Sequence, residues 1–301
     1  MSASKHIYGY WRTDKEKEPG YSHELISCDT AKILDRTDLD TLDADPFPGV
    51  DTLFKALQRN LDRIPNHDWL GTRVGDTYEW MTWKEAMEIS RNLSYGLVAL
   101  DLIPEVEGEG RMWRFMGIQS KNRKEWVLQH VANIHQNATT IAFYDTLGPD
   151  ATKFVINQTQ LTSMAVSIDY LAKIPKMKAE DATSDSPKMG SLANLIVFED
   201  SVTQEQRDEA EKAGLKIYTM AEVIQKGKDA EVKTFNEPTR DDSAAFSYTS
   251  GTTGDPKGVK LTHKMLIQAA YAVDTRVQTN QDGFSENDTY ISYLPAGHSF
   301  E

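Results

Sequence analysis

Three glycines, Gly251, Gly254 and Gly258, punctuate the stretch from Tyr248 to His263, which also carries Thr249, Ser250, Thr252 and Thr253 as hydroxyl donors and Lys257 as a compact positive charge. These residue types suit the holding of a polyphosphate. Glycine accepts positive φ and close approach, so successive backbone N–H groups can turn inward and form an anion-binding nest. Pro256, directly before the lysine, narrows the conformations open to the loop. The bland alternative is a linker, because Gly/Ser/Thr-rich loops often do no more than join two strands. A Walker A loop needs its lysine directly after the second glycine of G-x-x-x-x-G-K-[ST], opening a helix. Lys257 instead follows Asp255-Pro256 and precedes Gly258, which argues against a P-loop NTPase.

A phosphate loop must be held at both ends. Ala244, Ala245 and Phe246 read as the end of a buried strand, and Val259, Lys260 and Leu261 as the start of another, so the loop spans 248–258 between two strands. His263 follows as the opening of a helix and reads as structural. A second candidate, His298, stands after a strand-like Tyr290 to Leu294 and a turn at Pro295. By residue type alone, a lone histidine at a strand end is a structural residue. Trp126 and Tyr144 read as core.

The rest of the chain supplies the scaffold. Val50, Leu53, Phe54, Leu57, Leu61 and Ile64 recur at helical spacing between Pro48-Gly49 and Pro65. Thr82 and Glu85 form a capping box, with Ile89, Leu93 and Leu97 continuing an apolar stripe behind it. From Phe115 the pattern runs through a short apolar strand, a polar turn at Ser120 to Asn122, a helix through Trp126 and Val131, and an apolar run from Thr139 to Phe143. Strand, helix and strand over so few residues make a βαβ unit, with parallel pairing. The alternation recurs through Met164 to Ile168, Leu195 to Phe198, a charged helix from Gln204 to Ala213, and Lys216 to Tyr218. The fold class is therefore α/β, a doubly wound parallel sheet with flanking helices. Glu180 to Ser191 reads as a surface loop, and residues 1–45 as an irregular arm ahead of a domain at 46–301.

Bulk properties narrow the function. A chain of 301 residues with 39% hydrophobic content can build a proper core. A net charge of −13, with no run of Lys/Arg to reverse it, speaks against nucleic acid as a partner. One cysteine, Cys28, allows no disulfide framework and fits a reducing compartment. No charged-then-apolar leader and no run of about 18 apolar residues is present, so the chain reads as soluble, with peripheral membrane contact left open. No residue pattern points to a protein partner.

The ten residues Thr249 to Gly258 meet every fixed position of Thr-Ser-Gly-Thr-Thr-Gly-x-Pro-Lys-Gly, and so resemble the phosphate loop of the adenylate-forming enzymes, the acyl-CoA synthetase, luciferase and peptide-synthetase adenylation family. Further segments are similar to the long-chain fatty acyl-CoA synthetase branch: Trp69 to Leu97, Gly117 to Asn133, Phe143 to Gln160, and Leu294 to Glu301, which is close to Leu-Pro-Leu-Ala-His-x-Phe-Glu. The resemblance departs at Ala296-Gly297, where the family more often has Leu-Ala, and at Ile141-Ala142, where a Val-Pro pair is usual. It implies ATP-dependent activation of a long-chain fatty acid to acyl-adenylate and then acyl-CoA, with ATP, Mg²⁺ and CoA required and the fatty acid and CoA as the small-molecule partners. Thr249, Ser250, Gly251, Thr252, Thr253, Gly254, Lys257 and Gly258 would hold the ATP phosphates, and His298 would stand beside the acyl carboxylate. It implies a cytoplasmic location or a peripheral one on an intracellular membrane, endoplasmic reticulum or peroxisome. Family members continue past His-x-Phe-Glu into adenine- and ribose-binding segments and a mobile C-terminal domain. The expectation is then an incomplete N-terminal domain, inactive alone. The alternatives are a non-catalytic nucleotide-binding or regulatory fragment, or a synthetase for another carboxylic acid.

Overall fold

The computed structural model describes residues 9–11, 13, 16–23, 25–27, 47–144, 147–249, 255–278 and 284–298. The chain divides into two compact units, residues 1–50 with 265–289 and residues 51–264 with 290–301. In the smaller unit, β1 (Gly9–Trp11) pairs antiparallel with β2 (Leu25–Ser27), within the arm expected to be irregular. The Phe47 and Tyr271 rings meet edge to face, their centroids 5.4 Å apart.

The larger unit opens with α1 (Leu53–Arg63), three residues later than the apolar spacing suggested. Thr52 decides the start, because its side chain accepts the Lys55 N–H and supplies the N-cap. Val50 is buried but lies outside the helix. A hairpin follows, β3 (Asp68–Val74) against β4 (Thr77–Thr82), and runs into α2 (Trp83–Ala99). The Thr82/Glu85 capping box forms as expected.

The main sheet is built from β5 (Glu105–Gly108), β6 (Arg111–Gln119), β7 (Thr139–Ala142), β8 (Ser163–Val166), β9 (Asn194–Val197), β10 (Lys216–Thr219), β11 (Ser243–Thr249) and β12 (Lys257–Thr262). Its order is β10-β9-β8-β6-β7-β11-β12, with β5 paired to the first half of β6. Neighbours from β10 through to β11 are parallel, and the β5 and β12 pairings are antiparallel. The chain leaves β6 through α3 (Lys124–His135) to β7 on one side, then returns through α4 (Pro149–Thr159) to β8 on the other. Strand order therefore reverses about β6, the doubly wound topology.

Both sheet faces are covered, which explains the nearly continuous apolar strands. Phe115, Ile141, Leu195, Val197 and Phe246 pack on one face with α4, α5 (Lys173–Ala182) and α6 (Gln204–Lys212) through Val155, Ile156, Ile174 and Ala210. Met116, Ile118, Ala165 and Ile196 pack on the other with α2, α3 and α7 (Met220–Lys228) through Leu93, Leu97, Ala132 and Val223. Helices α2 and α7 touch backbone to backbone at two glycines. A Cβ at Gly96 would run into the Val223 carbonyl, and one at Gly227 into that of Asn92.

Two local expectations need correction. Glu180 to Ser191 is not all surface loop. Helix α5 runs through Ala182, and buried Asp181 accepts the N–H groups of Lys188 and Met189 at 2.7 and 2.8 Å, drawing Met189 into the core. Tyr290 to Leu294 forms no strand, and Tyr290, Ile291 and Tyr293 are exposed. Strand propensity is a preference for a pleated, half-buried surface. These residues pair with no strand among the described residues, so the preference goes unexpressed.

Candidate functional site

The β11–β12 hairpin carries the glycine-rich loop. In its ladder Thr249 is paired with Lys257, Tyr248 with Gly258 and Ser247 with Val259. Thr249 and Lys257 are both exposed, so a hydroxyl and an ammonium stand side by side where the strands end. Ser250, Gly251, Thr252, Thr253 and Gly254 lie outside the described residues. Gly258 lies in the strand without positive φ, and its need for glycine is steric. A Cβ there would come 3.0 Å from Cζ of Tyr248, whose ring covers it. The Tyr248 hydroxyl donates to Gln158 Oε1 at 2.8 Å, and burial, assisted by the Glu109 charge, pushes its pKa up to about 12. The root of the loop is thus pinned to α4 by a neutral phenol.

Because β11 runs parallel to β7, β6 and β8, Thr249 shares the carboxyl edge of the sheet with the residues that follow those strands. In open α/β sheets this edge, at the reversal of strand order, is where ligands bind. The structure brings His298 to the same edge. Its backbone N–H donates to the Pro295 carbonyl at 2.7 Å, closing a turn, and its ring is exposed with its centroid 6.4 Å from that of Tyr144.

Two residues that the sequence left unassigned or called core hold this turn. Asn122, just past β6, accepts the Ala296 N–H at 2.7 Å on Oδ1, while its Nδ2 donates to the Ser292 hydroxyl at 3.0 Å and to the Leu294 carbonyl. Tyr144, just past β7, is only half-buried, a correction to its reading as core. Its hydroxyl donates to the Gly297 carbonyl at 2.7 Å and meets Ser247 Oγ at 2.9 Å. The available signal was position, since both are polar groups directly after an apolar parallel strand.

The loops of this edge are tied to one another. Arg123 pairs with Glu125 at 2.6 Å and with Glu199, whose other oxygen accepts the Ile168 N–H at 2.8 Å. Beside them opens a crevice of about 780 Å³ lined by Gln119, Pro149 and four lysines, Lys121, Lys153, Lys173 and Lys176, against two carboxylates, Asp169 and Glu180. Lys173 Nζ sits 4.9 Å from the centre of the Tyr170 ring. The crevice adjoins the N-terminus of α4, where the helix dipole adds positive potential.

His263 serves structure, as expected. It is buried at the start of α8 (His263–Gln278), its Nδ1 accepts the Leu53 N–H at 3.3 Å, and burial lowers its pKa to about 4 against the pull of Asp242 and Asp51. Among the described residues no group of three or more His, Cys, Asp or Glu side chains could hold a metal ion.

Fatty acyl-CoA synthetase B of Dictyostelium discoideum is 30% identical over 257 residues, 83% of this chain and 35% of its own length. Long chain acyl-CoA synthetase 4 of Arabidopsis thaliana is 29% identical over 85% of this chain and 37% of its own length. The chain thus spans little more than a third of these relatives. The A-PCP didomain of carboxylic acid reductase from Segniliparus rugosus, solved in complex with AMP, superposes with a TM-score of 0.54 at 17% identity, over 75% of this chain and 34% of that one, and supports the fold. Residues 56–301 match the family of AMP-binding enzymes, and the chain belongs to that family.

Proposed function

We propose that this chain carries the ATP-phosphate and carboxylate end of a long-chain fatty acid–CoA ligase, with residues 46–301 as its partial AMP-binding domain. The observation that carries the reading is the pairing of Thr249 with Lys257 at the sheet's carboxyl edge, with the His298 turn lashed to the neighbouring strand ends. A carboxylate resists attack by a thiol because oxide is a poor leaving group. Attack of the carboxylate on the α-phosphorus of ATP releases pyrophosphate and gives an acyl-adenylate. The thiol of CoA then takes the acyl group, and AMP leaves. Positioning and charge neutralisation dominate such in-line displacements.

Lys257, Thr249 and Gly258, with the loop residues Ser250, Gly251, Thr252, Thr253 and Gly254, would grip the departing β- and γ-phosphates. His298 would face the acyl carboxylate. Mg²⁺ would arrive on the ATP phosphates and neutralise charge there. The four-lysine crevice supplies the local reversal of a −13 net charge that a polyanion such as CoA requires. No helix among the described residues is long and apolar enough to cross a membrane, and a peripheral place on an intracellular membrane suits a water-insoluble substrate.

Calorimetric titration of the chain with acetyl-, octanoyl- and palmitoyl-sulfamoyladenosine, unreactive mimics of the adenylate, tests the reading. Each buried methylene is worth about 0.8 kcal/mol, so affinity should climb steeply with chain length. Equal affinity across the series would favour a nucleotide-binding fragment. Tightest binding of the acetyl compound would favour another carboxylic acid.

A further inference from the structure

The segment carrying His298 is placed by side chains. No strand occurs among the described residues 284–298, and Tyr290, Ile291 and Tyr293 are exposed. Asn122 and Tyr144 follow two adjacent, paired strands, β6 and β7, and grip the backbone at Leu294, Ala296 and Gly297, the three residues leading to His298 but for Pro295. The direction of the Tyr144 hydrogen bonds is forced. The Gly297 carbonyl can only accept, so the single phenolic proton goes to it, and the Ser247 hydroxyl must donate to the Tyr144 oxygen. A directed chain, Ser247 to Tyr144 to Gly297, therefore joins β11, two residues before Thr249, to the peptide that precedes His298. Asn122 adds an amide whose carbonyl and amino ends each serve the same turn, which fixes its flip.

We propose that Asn122 and Tyr144 are positioning residues that set the His298 imidazole relative to the root of the phosphate loop, with Ser247 relaying strand position to the turn. This rests on the reading that His298 faces the acyl carboxylate. Local packing alone would tolerate Tyr144→Phe, which keeps the ring against Gly297, and Asn122→Asp, which keeps the acceptor for Ala296. Positioning would not, because each variant removes a donor that aims the turn.

The experiment uses the 301-residue chain and variants whose thermal melting matches wild type. Amide hydrogen exchange of Ala296 and His298 and the NMR chemical shifts of the His298 ring report the turn without any ligand. Tyr144→Phe and Asn122→Asp should speed exchange at these amides about tenfold and move the ring resonances. Ser247→Ala, the mildest change, should produce a smaller effect of the same sign. Exchange and ring shifts identical to wild type in all three overturn the proposal. Palmitoyl-sulfamoyladenosine separates it from the reading beneath. If both hold, Tyr144→Phe and His298→Ala each weaken binding, and the double variant is no weaker than His298→Ala. If His298 has no part in binding, His298→Ala binds as wild type while Tyr144→Phe still loosens the turn. Additive losses in the double variant would also overturn positioning, since Tyr144 would then act without His298.

Discussion

Gly297 rests directly on Ala142, and a Cβ built at Gly297 would lie 2.9 Å from the Ala142 Cβ and 3.4 Å from Cε1 of Tyr144. These are two of the positions at which the chain departs from the pattern it otherwise resembles, and they meet in space. Both residues are small, and the turn before His298 lies against the end of β7 as a result. Gly297→Ala should overpack this contact, at a cost of about 1–3 kcal/mol. In an Ala142→Gly background the same substitution should cost clearly less. Urea unfolding of the four proteins of this cycle measures the coupling, and additive costs would show that the contact is not the cause.

Lys257→Ala should separate binding from folding. The side chain is exposed at the first residue of β12, so stability should change by no more than about 0.5 kcal/mol. A charge-assisted contact to phosphate is worth roughly 1.5–3 kcal/mol, so affinity for ATP or tripolyphosphate should fall about tenfold or more. Calorimetry beside a melting curve reads both halves. Unchanged polyphosphate affinity would remove the hairpin from the site.

Helix propensity and packing make opposite forecasts at Gly96. In an exposed helix, alanine in place of glycine gains about 1 kcal/mol. Here the new Cβ would strike the Val223 carbonyl across the α2–α7 contact, and backbone cannot rotate aside as a side chain can. The clash wins, and Gly96→Ala should lower the melting temperature rather than raise it. Gly227→Ala, facing the Asn92 carbonyl, should behave alike. A stabilised variant would mean that the two helices separate at little cost.

Acid should destabilise the fold through buried histidines. His135 and His263 are almost wholly buried, and burial holds each pKa near about 4 against an ordinary 6.5. Above pH 6.5 both are neutral, folded or unfolded, and exert no pH effect. Between 6.5 and about 4 the unfolded chain takes up protons that the folded chain refuses, so stability falls by up to about 1.4 kcal/mol per pH unit for each histidine. Protonation at Nδ1 of His263 would also evict the Leu53 N–H. Urea midpoints at pH 7, 6 and 5 should decline, less steeply in His263→Gln, and a flat profile would show that water reaches these rings.

Much of the fold and part of the candidate site are legible in the sequence. The separate strands and helix of β6, α3 and β7, the capping box at Thr82 and Glu85, and the strands flanking the glycine-rich loop each depend on residues within a few positions of one another. Periodicity, caps and turn chemistry act over that range, so sequence alone determined them. Tertiary structure decided the rest. It denied a strand to Tyr290–Leu294, which join no β-ladder among the described residues, and gave Gly258 a steric duty under the Tyr248 ring. It also placed Asn122 against Ala296 and Tyr144 against Gly297, contacts that span 174 and 153 residues. A local preference is a property of the backbone and its near neighbours, whereas these hydrogen bonds exist only because parallel pairing delivers the ends of β6 and β7 to the same edge.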